Sequence, residues 1–432
     1  MAIGIVNNIN AFGFGGSKIY DRYVNATLGS DDNDGTSPSK AWATLAKVVT
    51  YTQGLTSGDY KKVFISTGDY GGYNFISTNF IVSTVIELHF QVGCQIIGTG
   101  IDTYSGINIS NGGANLTIKV FGNNLVIKDF LLSSGNGIAS NGDHTSLLEV
   151  HNVNVTNCDD GISAHSASVI KVYDSNFYNC VKSAWAHINT STVYHYRCNF
   201  TGRSGASAGI GTNVATTRHY FEDCTFTPVP NGQQMDITRC DLVNCKIGTS
   251  SLYINAAGID CIATNCYINV AFDSRYHFEW YKCYGLVTMR IRGIDSGILT
   301  LIKNCVIVGN ASGRSEGFQY GNYDALDGTW DGYPVDVKDS VIMNFATAIG
   351  AGFSANQKTT FSASSFVRYC NLYNNTTDIA SGITCGSNNI DINPILGSYS
   401  GSTNQSDYAI TAAECIGTGS DGGNIGFTIN DI

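Results

Sequence analysis

His219-Tyr-Phe-Glu-Asp-Cys-Thr-Phe226, Cys240-Asp-Leu-Val-Asn-Cys-Lys-Ile247 and Cys261-Ile-Ala-Thr-Asn-Cys-Tyr-Ile268 are three versions of one octapeptide. Each puts Asp or Asn before a Cys, and apolar residues two after and three before that Cys. The same pair recurs along the chain as Asn152-Val153, Asp174-Ser175, Arg197-Cys198, Asn304-Cys305, Lys282-Cys283, Asp339-Ser340 and Tyr369-Cys370, with most neighbours 21 to 26 residues apart. That interval is too short for a domain. It is the length of one supersecondary unit that buries its apolar face by stacking on its neighbours.

The apolar positions alternate with polar ones, which is strand periodicity with one face inward. Each repeat carries a second apolar point: Ile138, Ile162, Trp185, Ile210, Ile237, Ile254, Phe272, Ile291, Phe318, Ile349 and Ile379. Two or three short strands per repeat, joined by Gly and Asn turns, describe an all-β parallel β-helix. A leucine-rich solenoid needs a repeating L-x-x-L-x-L with a helix or 3₁₀ turn, and neither is visible. Aligned Asn side chains at the turns are expected to stack as a hydrogen-bonded ladder.

The chain has 432 residues, more than one ordinary core supports, but a solenoid core grows along its axis. Forty-nine Gly, 24 Tyr and only 13% charged residues suit flat strand surfaces, and a net charge of −10 argues against a nucleic-acid partner. Any acidic ligand therefore needs local Arg or Lys. No apolar run is long enough for a membrane span, and Met1 to Phe12 lacks the basic and apolar regions of a signal peptide. Seven of the 14 Cys share the repeat position, which favours free, packed thiols formed in a reducing cytoplasm over disulfides. No C-x-x-C pair suggests a zinc site, and no metal ligands are assigned.

Ser37-Pro38 reads as a helix start, and Trp42, Leu45 and Val48/Val49 form one stripe, so a capping helix is expected at about 37–52. The preceding Asp31-Asp-Asn-Asp-Gly35 begins like a calcium loop. The acidic ligand twelve positions in is replaced by Trp42 or Ala43, so the run reads as turn chemistry, with calcium the one cofactor left open.

Tyr23 through Pro38 and Trp42 through Lys47 resemble the opening of right-handed parallel β-helix proteins of the pectate-lyase-like superfamily. Ile392-Asn-Pro-Ile-Leu396, Asp407-Tyr-Ala-Ile410 and Asp421-Gly-Gly-Asn-Ile-Gly-Phe427 resemble their ends. The resemblance implies a right-handed helix over 23–390, a C-terminal cap over 391–432 and an N-terminal tail over 1–22. The superfamily includes polysaccharide lyases, glycoside hydrolases, epimerases and the trimeric tailspikes of bacteriophages. The absent secretion signal and the short glycine-rich tail favour the tailspike. This implies a homotrimer in the phage tail, synthesised in the host cytoplasm, held on a baseplate or adaptor through residues 1–22 and directed at a bacterial surface polysaccharide. A free lyase or hydrolase and a non-catalytic structural fibre are the alternatives.

Candidate site residues lie on the outward columns. On the first strand these are Tyr194, Tyr196, Tyr220, Glu222 and Asp241, with Tyr173, Glu279 and Tyr281 around them. Tyrosines beside carboxylates suit sugar rings. Glu222 and Asp241, on adjacent rungs and about 7–8 Å apart by the diagonal of paired strands, suit an inverting acid–base pair. Equally, such columns pack between subunits. The second strand gathers Asp236, Asp273, Arg290 and Arg292, which fit either a shallow cleft binding a uronic acid or an ion-pair network. The insertion between Cys305 and Ser340 adds Tyr323 and Trp330 as glycan-contacting candidates. Gly205-Ala-Ser-Ala-Gly209 matches G-x-S-x-G without the helix that motif requires, and Asp160 reads as a turn residue.

Overall fold

The computed structural model describes residues 19–431 apart from 57, 77–83, 100–104, 111–115, 132–134, 142–145, 165–168, 187–191, 203–207, 213–217, 228–234, 249–252, 255–260, 269–270, 275–277, 287, 292–299, 310–315, 321–334, 346, 352–365, 380–387 and 398–403. The chain is an all-β parallel β-helix. Every strand pairing among the described residues is parallel, and each coil contributes up to three strands, one to each of three faces. Face 1 runs through Val169–Tyr173, Thr192–Tyr196, Arg218–Glu222, Cys240–Val243, Cys261–Thr264 and Phe278–Tyr281. Face 2 follows each of these after a short corner, as in Asn176–Tyr178, Asn199–Thr201 and Thr225–Thr227. Face 3 is divided into a seven-stranded sheet ending at Met235–Thr238 and a six-stranded sheet beginning at Tyr253–Ile254.

The repeat seen in the sequence is the corner between faces 1 and 2. Its first residue has positive φ in all ten coils: Asn152, Asp174, Arg197, Asp223, Asn244, Asn265, Lys282, Asn304, Asp339 and Tyr369, at 52–54°. Asn and Asp tolerate this left-handed conformation best, and they fill seven of the ten positions. The corner interrupts the backbone ladder, and the next residue repairs it. Ser175 Oγ donates to Tyr173 O at 2.7 Å and accepts from Val153 N at 3.2 Å. Ser340 does the same with Lys338 O and Cys305 N. In the Cys coils the thiol stands in this place: Cys245 Sγ lies 3.4 Å from Val243 O and 3.6 Å from Phe221 O of the preceding coil. The position asks for a small buried side chain with a polar hydrogen, which explains the Cys/Ser alternation. The thirteen described cysteines are all free and buried.

Three corners lie outside the regular spacing. One of them, Asn124-Leu125, has Asn124 at φ 65° and Leu125 in register with Val153. Gly93-Cys94 starts the series, with Gly93 at φ 86° and Cys94 Sγ 3.2 Å from Ser66 O. Asn388-Asn389 closes it: Asn388 has φ 64°, and Asn389 donates to Val367 O and accepts from Cys370 N, both at 3.0 Å. The expected asparagine ladders are present. Asn176 donates to Asn154 at 2.8 Å and Asn199 to Asn176 at 2.7 Å, on the outer side of face 2.

Both flanking segments differ from the simplest expectation. Pro38 opens a 3₁₀ turn, Pro38–Lys40, rather than the helix; the α-helix is Leu45–Gln53. Between them Trp42 is extended because it bridges Val24 in parallel. Leu45 and Val48 of this helix are buried in the core. The acidic run is a turn: Asp31 accepts from Ala43 N, Thr44 N and Thr44 Oγ1, and Asp34 from Thr36 N. The C-terminal segment is a strap rather than an end plug. It lies along the outer side of face 2, where Tyr267, Tyr284, Val306, Val308, Val341 and Met343 are buried beneath Tyr408, Ile410, Cys415, Ile425 and Phe427. Asn304 ties it down through Asn424 O and Gly426 O, and Lys282 through Asp431 O. Gly426 has φ 85° and passes close to Val341 and Val306, a place where a side chain is both strained and crowded.

Candidate functional site

Alternation along face 1 places two columns of side chains on its outer wall. The column beside the corner runs in register through Tyr23, Phe64, His89, Phe121, His151, Tyr173 and Tyr196 and ends at Glu222. From His89 to Tyr196 the rings stack face to face, with centroids 4.6–5.1 Å apart and planes within 18°. The second column begins with charges of alternating sign, Lys62, Glu87, Lys119, Glu149 and Lys171, and continues as Tyr194, Tyr220 and Asp241. Its acids are engaged: Glu87 by Lys62 at 3.3 Å and His89 at 2.9 Å, Glu149 by Lys119 at 3.8 Å and His151 at 2.7 Å. Tyr194 and Tyr220 stack at 5.0 Å.

This geometry limits the chemistry of the wall. Rings one rung apart cover each other's faces, so a ligand lying on the wall meets their edges and hydroxyls. Sugar stacking on the ring faces, expected from the sequence, has no room within the stack. Hydrogen bonding to a row of phenol groups remains. Burial raises the Tyr196 and Tyr220 hydroxyls above their ordinary pKa, and the neighbouring Glu222 and Asp241 add to it, so both are protonated donors at neutral pH.

The two tyrosine columns stop one rung apart. Tyr196 is followed by Glu222, and Tyr220 by Asp241. The two carboxylates are therefore diagonal neighbours, as the repeat spacing predicts. They differ in surroundings. Asp241 is gripped by Arg218, whose Nε lies 3.1 Å from both carboxylate oxygens and whose Nη2 adds a third contact. Glu222 is exposed and has no cationic partner among the described residues. Two rungs on, Glu279 accepts from Tyr281 at 2.7 Å; burial and then this bond push the phenol up to about 12.

The second group of candidates is split by the break in face 3. Asp273 and Arg290 are in direct register on adjacent strands, Ala271–Ser274 and Thr288–Ile291. Asp236 pairs in register with Gly209 in the other sheet, with the strand Tyr253–Ile254 between its rung and that of Asp273. The apolar column also shifts: Ala184 rather than Trp185 aligns with Ile210, after an irregularity in the strand, and Met289 rather than Ile291 aligns with Phe272 and Phe318. Asp160 is buried at the start of its strand, 3.8 Å from Lys182. Arg292, Tyr323, Trp330 and the Gly205 end of the G-x-S-x-G run lie outside the described residues.

One corner brings the two groups back together. Met235–Thr238 of face 3 and Cys240–Val243 of face 1 are separated by Arg239 alone, whereas 213–217 and 255–260 intervene in the coils on either side. Asp236 and Asp241 thus bracket a one-residue bend. Neither Arg218 nor Arg239 is conspicuous in the sequence. Their signal was positional: both fall six residues before a repeat Cys, a third outward column beside the tyrosines.

No protein-family model matches the sequence, and no match is found among curated proteins. Among solved structures, a rhamnogalacturonan lyase is similar at 12% identity with a TM-score of 0.38, over 77% of this chain and 82% of that one.

Proposed function

We propose that the chain is a bacteriophage tailspike that binds a bacterial surface polysaccharide across the outer wall of face 1, centred on Tyr194, Tyr196 and Tyr220. The observation that carries the reading is the step where two hydroxyl-bearing tyrosine columns end on Glu222 and Asp241. A rigid parallel sheet presents these groups at the rung spacing of about 4.8 Å, a regular row of donors and acceptors for a polymer with repeating hydroxyls. As such a fibre the protein acts as a homotrimer seated on the virion through residues 1–22. The unequal surroundings of the two carboxylates favour a second activity, cleavage. Asp241 is held by Arg218, while Glu222 is open to exchange a proton with a leaving oxygen, the division of labour an acid–base pair needs.

The test is to present capsule and lipopolysaccharide from a panel of hosts to the purified protein, following binding by interferometry and chain length by release of reducing or unsaturated ends. Binding with cleavage abolished in Glu222→Gln supports both activities. Binding without products leaves a recognition fibre. No binding to any surface glycan refutes the reading.

A further inference from the structure

Arg239 has no side-chain partner among the described residues. It sits at φ 49°, a conformation that Asn, Asp or Gly would adopt more easily than a long side chain. Its carbonyl accepts from His219 N at 3.2 Å, so the backbone is fixed in the ladder. The guanidinium is a different matter. Arg239 is half-buried, its Nε and Nη1 are shielded from solvent, and neither has a hydrogen-bond partner among the described residues. No carboxylate among the described residues pairs with it. The nearest acid in sequence on face 1, Asp241, is already taken by Arg218 from the preceding rung.

An unpaired, partly desolvated cation is destabilising by itself. Here it lies in a chain of net charge −10, which offers carboxylates in excess for pairing. It also lies at the one-residue corner beside the proposed wall. Because His219 pairs in register with Cys240, the residues just before them, Arg218 and Arg239, occupy adjacent rungs. Tyr220 and Asp241 follow two residues after each. Arg239 thus stands one rung from the strand that carries Tyr220.

We infer that Arg239 receives an anionic substituent of the bound glycan, a carboxylate or a phosphate, and that the polysaccharide read by this wall is acidic. The inference rests on the glycan-binding reading and deepens it by naming the substrate class. Arg suits the role because its planar fork matches both anions. Arg218 next to it acts as a positioning residue, since it occupies Asp241 and keeps that carboxylate away from Arg239.

The experiment measures binding of the full chain, wild type and Arg239→Gln, to polygalacturonate, polysialate and poly(glycerol phosphate), with neutral dextran and mannan alongside, at two salt concentrations. The expected result is binding to at least one polyanion, weakened about tenfold or more by Arg239→Gln and partly restored by Arg239→Lys, with a shallower salt dependence in the Gln variant. Unchanged thermal melting of the variants shows that the fold is intact; a strain-relieving Arg239→Gly with the same binding loss serves if Gln destabilises. The carboxylate and phosphate polymers separate the two anion sources. Binding confined to neutral glycans, or polyanion binding indifferent to Arg239→Gln, overturns the inference and leaves the glycan-binding wall standing. Binding to none of these polymers or to any host glycan removes both.

Discussion

Two histidines stand in the core among apolar side chains and thiols, and this makes the molecule acid-sensitive in a calculable way. His195 and His219 are fully buried, with His195 Nε2 3.4 Å from His219 Nδ1, and the outer nitrogens of the pair have no partner among the described residues. Phe221 stacks on His195 at 4.4 Å and Phe200 meets it edge-on at 5.2 Å; Cys224 Sγ lies 3.5 Å from His195 O, and Cys240 is in register with His219. Burial lowers both imidazoles, His219 from 6.5 to about 3, and His195 in the same direction with His219 adding to the effect. A base that resists protonation when folded and accepts it when unfolded loses stability as pH falls. The loss begins near 6.5, the unfolded value, and ends near 3, the folded value. Between pH 8 and pH 5 His219 alone costs about 2 kcal/mol, from 1.36 kcal/mol per pH unit over the interval below its unfolded pKa. His195 adds to that. Urea denaturation followed by tryptophan fluorescence at pH 8 and pH 5 measures the loss. The variant His195→Leu/His219→Leu keeps the volume, removes the titration and shares every other group with the wild type. The expected outcome is a pH 8-to-5 destabilisation smaller than wild type by at least about 2 kcal/mol. Equal losses in the two proteins would refute the reasoning.

Other outcomes follow from the same structure. Cys245→Ser preserves the corner's hydrogen bond, as Ser175 and Ser340 do, and is expected within about 1 kcal/mol of wild type, whereas Cys245→Ala removes the thiol that lies against Val243 O and Phe221 O and costs about 1–3 kcal/mol by denaturant melts. Tyr408→Ala removes the fully buried ring that packs on Tyr284 at 5.0 Å and costs about 3–5 kcal/mol, loosening the strap first, which limited proteolysis within 404–431 detects. Asn176→Ala breaks the ladder between Asn154 and Asn199 and, being exposed, costs about 1 kcal/mol or less.

The solenoid is legible in the sequence because its costliest feature recurs. A left-handed corner selects Asn or Asp, the interrupted ladder selects Cys or Ser, and alternation does the rest. Gly93-Cys94 and Asn388-Asn389 escape because they meet the same needs with different residues at other spacings. The strap left a trace that alternation counting passes over: Val306-Ile-Val308 and Val341-Ile-Met343 are apolar on both sides of the strand, the mark of a strand covered twice. Trp185 and Ile291 mislead because a strand irregularity or a two-residue offset moves the register, which no count of apolar residues reveals. At the candidate site, Tyr194, Tyr196, Tyr220, Glu222 and Asp241 are readable as columns. The engagement of Asp241 by Arg218 and the isolation of Arg239 are not, since they depend on which acid the side chains reach across rungs.

The account stands on the wall of face 1 being the place where polysaccharide is held. Its most direct test is the affinity of a host surface glycan for three proteins: wild type, Tyr220→Ala on that wall, and Asp273→Asn in the separate sheet of face 3. Tyr220→Ala is expected to weaken binding about tenfold or more, as loss of an anchoring tyrosine does, with Asp273→Asn unchanged. Full affinity in Tyr220→Ala together with loss in Asp273→Asn would move the site to the other face and contradict it.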